Sequence, residues 1–276
     1  MIKAMCIGEI LWDIFPSHKV WGGAPANFIF HMNQFGAQAW AVTAIGRDDL
    51  GNELLKEVQA TGVEVICAIN DKPTGKVHVT LDSHGTASYL FNEDCAWDHI
   101  PFTEELDDLC GNVDLICFGT LAQRHTDSRN TLLKCLKSRK PSAKVLFDIN
   151  LRQQFYSKEI IEKSLLHTDY LKLNDEEAII LTEMFGKTLK DLQSEYAIEL
   201  VILTLGEAGS RIISPTQTYE CPAVPCKVVD TVGAGDAFTA SFIMGYLTDL
   251  DIPAAQQQAT RMASYVCAHA GATVKI

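Results

Sequence analysis

Nine consecutive residues near the C-terminal end, Asp230–Phe238 (Asp-Thr-Val-Gly-Ala-Gly-Asp-Ala-Phe), combine the residue types needed for chemistry on an anion. A β-prone segment, 227–229, is predicted to lead into this turn as a strand, and an apolar helix over 237–247 is predicted to follow it. The two glycines permit a sharp turn, and the first N–H groups of a helix have no intrahelical acceptor and bind anions. Asp236 places a carboxylate base beside that site, which is what phosphoryl transfer to a hydroxyl requires.

Other polar side chains follow predicted strands. Asp13 lies just beyond the first apolar strand, Arg152 follows the strand predicted over 144–148, and Asn174 follows the one predicted over 170–173. In an open α/β sheet, ligands bind at the carboxyl ends of the strands, so we expect these side chains to converge. The planar guanidinium of Arg152 suits phosphate oxygens or a sugar hydroxyl, and Asn174 can cap the helix that follows it.

The elements that must position these groups alternate along the chain. Strands are predicted over 113–119, 144–148, 170–173 and 201–205, and helices over 127–140, over 157–166 and from about 175. This alternation predicts an α/β fold with a doubly wound, mainly parallel sheet flanked by helices. No linker or internal repeat interrupts it, so we expect one domain over 1–276.

One section departs from that alternation. Residues 77–82 and 86–92 are alternating, strand-like runs joined by a predicted turn at Ser83–Gly85, with no helix between them. They predict antiparallel strands that project from the main sheet.

Composition limits the class of protein. The chain has 276 residues, 47% apolar and 21% charged, which is typical of a globular enzyme. Its net charge of −12 disfavours nucleic acid or an anionic membrane as a partner. Glu9 and Asp13 interrupt the apolar N-terminal stretch, which predicts a buried first strand in a cytoplasmic protein. The nine cysteines show no metal-binding spacing, and we expect them to be reduced core residues.

Two separate strings resemble the signatures of the PfkB (ribokinase-like) carbohydrate kinases. A bare Gly-x-Gly-Asp turn is also common in ordinary strand–helix connections, but the full string 230–238 resembles the C-terminal signature of that family. Gly-Gly-Ala-Pro-Ala-Asn at 22–27, followed by Ala-Ile-Gly-Arg-Asp-Asp-Leu-Gly at 44–51, resembles its N-terminal signature, particularly in the fructokinase-like branch. The resemblance implies a ribokinase-like fold whose small β-strand lid is inserted at about 12–22 and 74–97.

The resemblance also implies roles for individual residues in an ATP-dependent, Mg²⁺-requiring sugar kinase. The catalytic set it implies is Asp236 as base, Gly233, Ala234 and Gly235 as the anion-binding turn, and Arg152. The sugar-binding set is Asp13, Gly22, Gly23, Asn27 and Asp236, and the nucleotide-binding set is Asn174, Thr204, Gly206, Gly209, Gly235 and Gly271. Asn174 and Glu177 are implied to organise Mg²⁺ through water, and Asp230 with the carbonyl of Val232 matches a K⁺ site found in some relatives.

Several alternatives stay open at this point. Fructose is the first candidate substrate, with ribose, 2-keto-3-deoxygluconate and adenosine behind it. A non-catalytic sugar or nucleotide sensor on the same fold is a rival, although it predicts a damaged signature and Asp236 is present. A nicotinamide-dependent oxidoreductase would need a Gly-x-Gly-x-x-Gly string after the first strand, where residues 7–13 contain only Gly8. The family resemblance further implies that the lid can form a homodimer contact.

Overall fold

The computed structural model describes residues 1–81 and 87–276. Its strands are β1 Lys3–Ile7, β2 Leu11–Ile14, β3 Lys19–Gly22, β4 Gln38–Gly46, β5 Glu64–Asn70, β6 Lys76–Leu81, β7 Ala87–Phe91, β8 Leu115–Phe118, β9 Lys144–Asp148, β10 Tyr170–Asn174, β11 Leu200–Thr204, β12 Ser210–Ile213 and β13 Thr218–Cys221. Nine of them form the main sheet in the order β13-β12-β11-β10-β9-β8-β1-β4-β5. Its pairs are parallel except for those that β12 makes with β11 and β13. The predicted fold class is therefore confirmed.

Helices cover both faces of this sheet. They are α1 Ala24–Gln34, α2 Asp49–Ala60, α3 Glu104–Cys110, α4 Thr126–Ser138, α5 Lys158–Leu165, α6 Asp175–Phe185, α7 Leu189–Glu195, α8 Ala234–Leu247 and α9 Ile252–Cys267. Side chains of α1, α2, α8 and α9 form one core layer, and those of α3 to α7 form the other. The central strands are mostly apolar because both of their faces are buried. Within the described ranges, no helix has both the length and the apolar character needed to cross a bilayer.

A second, four-stranded sheet lies in the order β3-β2-β6-β7. The β2–β6 pair is parallel and the other two pairs are antiparallel. The predicted turn at Ser83–Gly85 lies outside the described residues. The strand-like region ends at Phe91, and Ala96–His99 instead forms a short 3₁₀ turn.

Two local predictions around the C-terminal signature were wrong. Residues 227–229 form no strand; Val228 and Val229 are more than half exposed, and the N–H of Val229 donates to the carbonyl of Cys267 at the end of α9. Its β propensity is not sufficient without a pairing strand, and the segment joins neither β13 nor β5, the outermost strands of the main sheet. The following helix begins at Ala234, three residues earlier than predicted, which brings the whole signature turn into its first turn.

Candidate active site

The Gly-Gly-Ala-Pro-Ala-Asn segment forms the end of β3 and the start of α1. Gly23 is the N-cap residue of α1 with φ 118°, and a Cβ placed there would lie 2.3 Å from the carbonyl oxygen of Glu9. A Cβ on Gly22 would lie 2.5 Å from Oδ2 of Asp13. Gly23 is therefore required by close packing against the backbone, whereas a side chain on Gly22 would displace the Asp13 carboxylate. Asn27, in the first turn of the helix that Gly23 begins, is buried.

The C-terminal signature forms the first turn of α8. Gly233 is its N-cap residue with φ 76°, and a Cβ there would lie 2.5 Å from Cβ of Ala272. The N–H of Ala234 donates to the carbonyl of Thr231 at 3.3 Å. The next two N–H groups, of Gly235 and Asp236, belong to the helix turn that has no intrahelical acceptors. Together with the helix dipole, these N–H groups have the character that the predicted anion site requires.

Asp236 is held in this turn by a side chain from the opposite end of the sequence. Nδ2 of Asn27 donates to Oδ2 of Asp236 at 2.9 Å, so the two signatures meet across 209 residues. Burial raises the pKa of Asp236, while Lys172 and the hydrogen bond from Asn27 oppose the rise. A carboxylate with a raised pKa beside an anion site is suited to accept a proton from a hydroxyl.

Lys172, which the sequence analysis did not select, lies beside this carboxylate. It is the third residue of β10 and only 7% exposed, and its Nζ is 3.2 Å from Oδ1 of Asp148 on β9. Burial raises the pKa of Asp148 to about 6, with Lys172 opposing the rise, so the pair is ionic above that pH. The sequence feature that could have identified Lys172 is a lysine inside an apolar strand. At such a position an unpaired charge is energetically costly to bury.

Carboxylates also line the side of the site nearest the second sheet. Glu9, likewise missed from the sequence, is 4% exposed, and burial raises its pKa to about 7. Burial raises the pKa of Asp13 on β2 to about 6. Arg152 is exposed, and its Nη1 donates to the carbonyl of Leu151. The positive charge of Arg152 opposes the rise in pKa of Glu9, Asp13 and Asp236. Arg152 is thus the cation that faces all three of these carboxylates.

Arg124 received no role from the sequence, and its contacts account for it. Its Nε and Nη2 donate to the two carboxylate oxygens of Asp98 at 2.7 Å, and its guanidinium lies 4.0 Å from the ring centroid of Trp97. Its Nη2 also donates to the carbonyl of Asn92, just after β7. Arg124 therefore ties the end of β7 to the main sheet.

Asn174 and Glu177 form a capping box at the start of α6. Oδ1 of Asn174 accepts from the N–H of Glu177 at 2.8 Å, and Oε2 of Glu177 accepts from the N–H of Asn174 at 2.8 Å. Oε1 of Glu177 accepts from the N–H of Leu151 at 2.9 Å, which fixes the loop that carries Arg152. Glu177 is buried, and both its oxygens keep a second lone pair. Since Mg²⁺ retains most of its waters, this pair fits contact with the metal through water.

The remaining predicted nucleotide residues surround the adjacent strand end. Thr204 is paired with Asn174 in the β10–β11 register, so their strand ends lie side by side. Gly206 lies in the turn that follows, with open space around its Cα. Gly209 ends this turn, and a Cβ there would lie 2.1 Å from the carbonyl oxygen of Cys221, so its lack of a side chain serves packing against the protein.

Asp230 links the signature turn to the last loop of the chain. Its Oδ1 accepts from the N–H of Val232 at 3.0 Å, and its Oδ2 accepts from the N–H of Gly271 at 3.0 Å. Gly271 has φ 82°, and Val232 is 51% exposed. The predicted residues of the site thus form two neighbouring groups, one around Asp236 and one around these strand ends and loops.

The comparisons with known proteins agree with this geometry. The sequence model for the pfkB family carbohydrate kinases matches residues 16–276. The chain belongs to this family of carbohydrate kinases.

Three relatives illustrate the range of names within the family. The sugar kinase PH1459 of Pyrococcus horikoshii is 29% identical in sequence over 87% of this chain and 81% of its own length. Its crystal structure in complex with ATP superposes with a TM-score of 0.86, covering 98% of this chain and 94% of that chain. Fructokinase-2 of Oryza sativa subsp. japonica is 27% identical over 88% of this chain and 79% of its own. The 2-dehydro-3-deoxygluconokinase of Haemophilus influenzae is 27% identical over 99% and 96%. These relatives are carbohydrate kinases, and the last two are named for different sugars.

Proposed function

We propose that this carbohydrate kinase transfers the γ-phosphoryl group of ATP to a primary hydroxyl of a small neutral sugar, with fructose as the first candidate. The contact between Asn27 and Asp236 carries the proposal, because it joins a predicted sugar-binding residue to the predicted base at the anion-binding turn. The similarity to PH1459, whose structure was obtained with ATP, supports the choice of nucleotide.

The proposed reaction uses groups that are already close together. Asp236 accepts the proton of the sugar hydroxyl while that oxygen forms a bond to the γ-phosphorus. The bond from this phosphorus to the oxygen that bridges it to the β-phosphate breaks, and ADP leaves with the electron pair. The N–H groups of Gly235 and Asp236 and the guanidinium of Arg152 stabilise the negative charge on the transferred group.

Asn174 and Glu177 are the residues that would hold a hydrated Mg²⁺, which in kinases neutralises charge on the phosphate oxygens. We propose that Asp230 and the Val232 carbonyl bind K⁺. Both carboxylate oxygens of Asp230 also accept hydrogen bonds from the surrounding loops.

The charges near Asp236 favour a neutral sugar over an acidic or phosphorylated one. Glu9, Asp13 and Asp236 lie on the proposed acceptor side. Among the described residues, Arg152 opposes the pKa rise of all three, whereas Lys172 and His31 oppose only that of Asp236. The other nearby guanidinium, that of Arg124, is already paired with Asp98. A substrate carboxylate or phosphate would be repelled by this set.

The test is ADP formation from Mg·ATP with purified protein and a panel of fructose, tagatose, ribose, glucose, 2-keto-3-deoxygluconate and adenosine. We expect fructose, or another neutral sugar, to give the highest kcat/KM and 2-keto-3-deoxygluconate to give at least about tenfold less, since one unfavourable charge contact costs over 1 kcal/mol. A preference for the acidic sugar would contradict the charge argument. ATP binding without turnover on any sugar would favour the sensor.

A further inference from the structure

Lys172 occupies a position in the site that neither signature includes. It lies in the middle of β10, between β9 and β11, and its side chain is 9% exposed. If Gly235 carried a Cβ, that atom would lie 3.5 Å from Nζ of Lys172. The ammonium therefore lies directly against the inner side of the first turn of α8, the turn whose N–H groups form the anion site.

Asp148 fixes this ammonium from the neighbouring strand. Lys172 and Asp148 are register partners on β10 and β9, with Nζ and Oδ1 3.2 Å apart. Oδ1 of Asp148 has no hydrogen-bond donor of good geometry, so the contact is chiefly electrostatic. This lysine also lies within electrostatic range of Asp236 and Glu177.

We propose that Lys172 is a positioning residue for phosphoryl transfer, which supports the anion-binding turn from inside and balances the charge of Asp236 while the anionic phosphoryl group approaches it. The inference rests on the proposed function. Without an interior cation, a carboxylate base and a phosphate would be brought together in a region of low dielectric, where their repulsion is strong.

Asp236 responds to charged or polar groups on every element packed around it. They are Lys172 on β10, Asp148 on β9, Asn27 and His31 on α1, Glu9 after β1 and Arg152 after β9. Of these, Lys172 opposes the burial-driven rise in the pKa of Asp236 most strongly. Removing it is therefore expected to raise that pKa further.

The experiment compares Asp148→Asn with the double variant Lys172→Met/Asp148→Asn. The double variant removes both members of the Lys172–Asp148 pair, so neither of the two is left as a buried charge without its partner. Two properties of both variants are measured. The first is kcat with the best sugar, and the second is the titration of Asp236 by NMR of ¹³C-labelled aspartate. The NMR signal of Asp236 is assigned by its loss in Asp236→Asn. Lys144→Met is the matched control, since Lys144 is also a strand lysine, paired with Glu199 at 2.7 Å at the opposite end of β9.

We expect Asp236 to titrate at higher pH in the double variant than in Asp148→Asn. The kcat of the double variant is expected to be lower by a factor on the order of 10–10², with little change in KM for the sugar. This loss is somewhat smaller than the loss caused by removing a direct oxyanion donor. Lys172→Arg/Asp148→Asn, which keeps the positive charge, is expected to have a higher kcat than Lys172→Met/Asp148→Asn. Equal titration and equal kcat in the two variants would overturn the proposal. If the wild-type protein phosphorylates no sugar, the proposed function fails, and the titration still decides whether Lys172 acts on Asp236.

Discussion

The two sides of the site are built differently. On the acceptor side, Asn27, Asp236 and Lys172 are fixed by interior hydrogen bonds and an ion pair. We propose that the segment before the signature turn belongs to the nucleotide side; Val228 and Val229 are 60% and 58% accessible and belong to no strand. From this contrast we propose that the acceptor side is organised before any ligand binds, whereas the nucleotide side gains much of its contact from the nucleotide. Preorganised charges contribute most to catalysis, because they need no rearrangement during the reaction.

The largest expected effect is on the rate, through the acceptor side. Asp236→Asn removes the base but keeps the shape, and we expect kcat to fall by about 10²–10⁴ with the fold intact. Turnover with the best sugar and the melting temperature are measured together. Asp49→Asn, at an exposed first-turn aspartate of α2, is the matched control and should leave both unchanged. Near-normal turnover in Asp236→Asn would remove this residue from the role of base.

The interior carboxylates make stability depend on pH. Burial raises the pKa of Glu9 from 4.5 to about 7 in the folded protein, so its stabilising effect is complete below about pH 4.5 and is lost as the pH rises through 7. At about 1.4 kcal/mol per pKa unit, this loss amounts to roughly 3 kcal/mol. We expect Glu9→Gln to flatten the decline in unfolding free energy between pH 5 and pH 8, measured by urea denaturation.

The exposed Glu64 on β5 supplies the control for that series, as Glu64→Gln should leave the pH dependence unchanged. If Glu9→Gln kept the full decline seen in the wild type, the acceptor side would be less desolvated than its burial indicates.

Gly233 connects the two sides, since it begins α8 and packs against Ala272 of the last loop. We expect Gly233→Ala to destabilise the protein by about 3 kcal/mol, because a strained φ adds about 1–2 kcal/mol and the contact with Ala272 adds to it. Gly36→Ala isolates the first contribution: its φ is 85° with no atom within 4 Å of the added Cβ. Equal destabilisation by the two substitutions would show that the loop moves away without cost.

The smallest effect is expected on the nucleotide side. Val228→Ser should change the free energy of unfolding by less than about 0.5 kcal/mol, as an exposed position usually does. It should raise KM for ATP by about fivefold, because partial burial of a valine against a ligand contributes about 1 kcal/mol. Steady-state kinetics with varied ATP, alongside thermal unfolding, measure both. A large loss of stability would mean that this segment is already packed without nucleotide.

The same contrast explains what the sequence could predict. The glycine turn at the start of α8 and the alternation of strands and helices were predictable, because they depend on local signals such as glycines and helix starts. The roles given to this turn and to Asn27 stay predictions. Lys172 and Glu9 were not predictable, because their importance comes from burial beside groups that are distant in the sequence. Residues 227–229 were assigned to a strand from β propensity alone, although a strand also needs a partner strand, and the N–H of Val229 donates to the end of α9 instead.

The most direct test of the central claim is the identity of the product. Protein, Mg·ATP and fructose are incubated, and the mixture is analysed by ³¹P NMR and mass spectrometry. The account predicts a new phosphomonoester on a primary hydroxyl of the sugar, formed in equal amount to ADP and absent with Asp236→Asn. ADP accompanied by inorganic phosphate alone, or a phosphoester that forms equally well with Asp236→Asn, would contradict it.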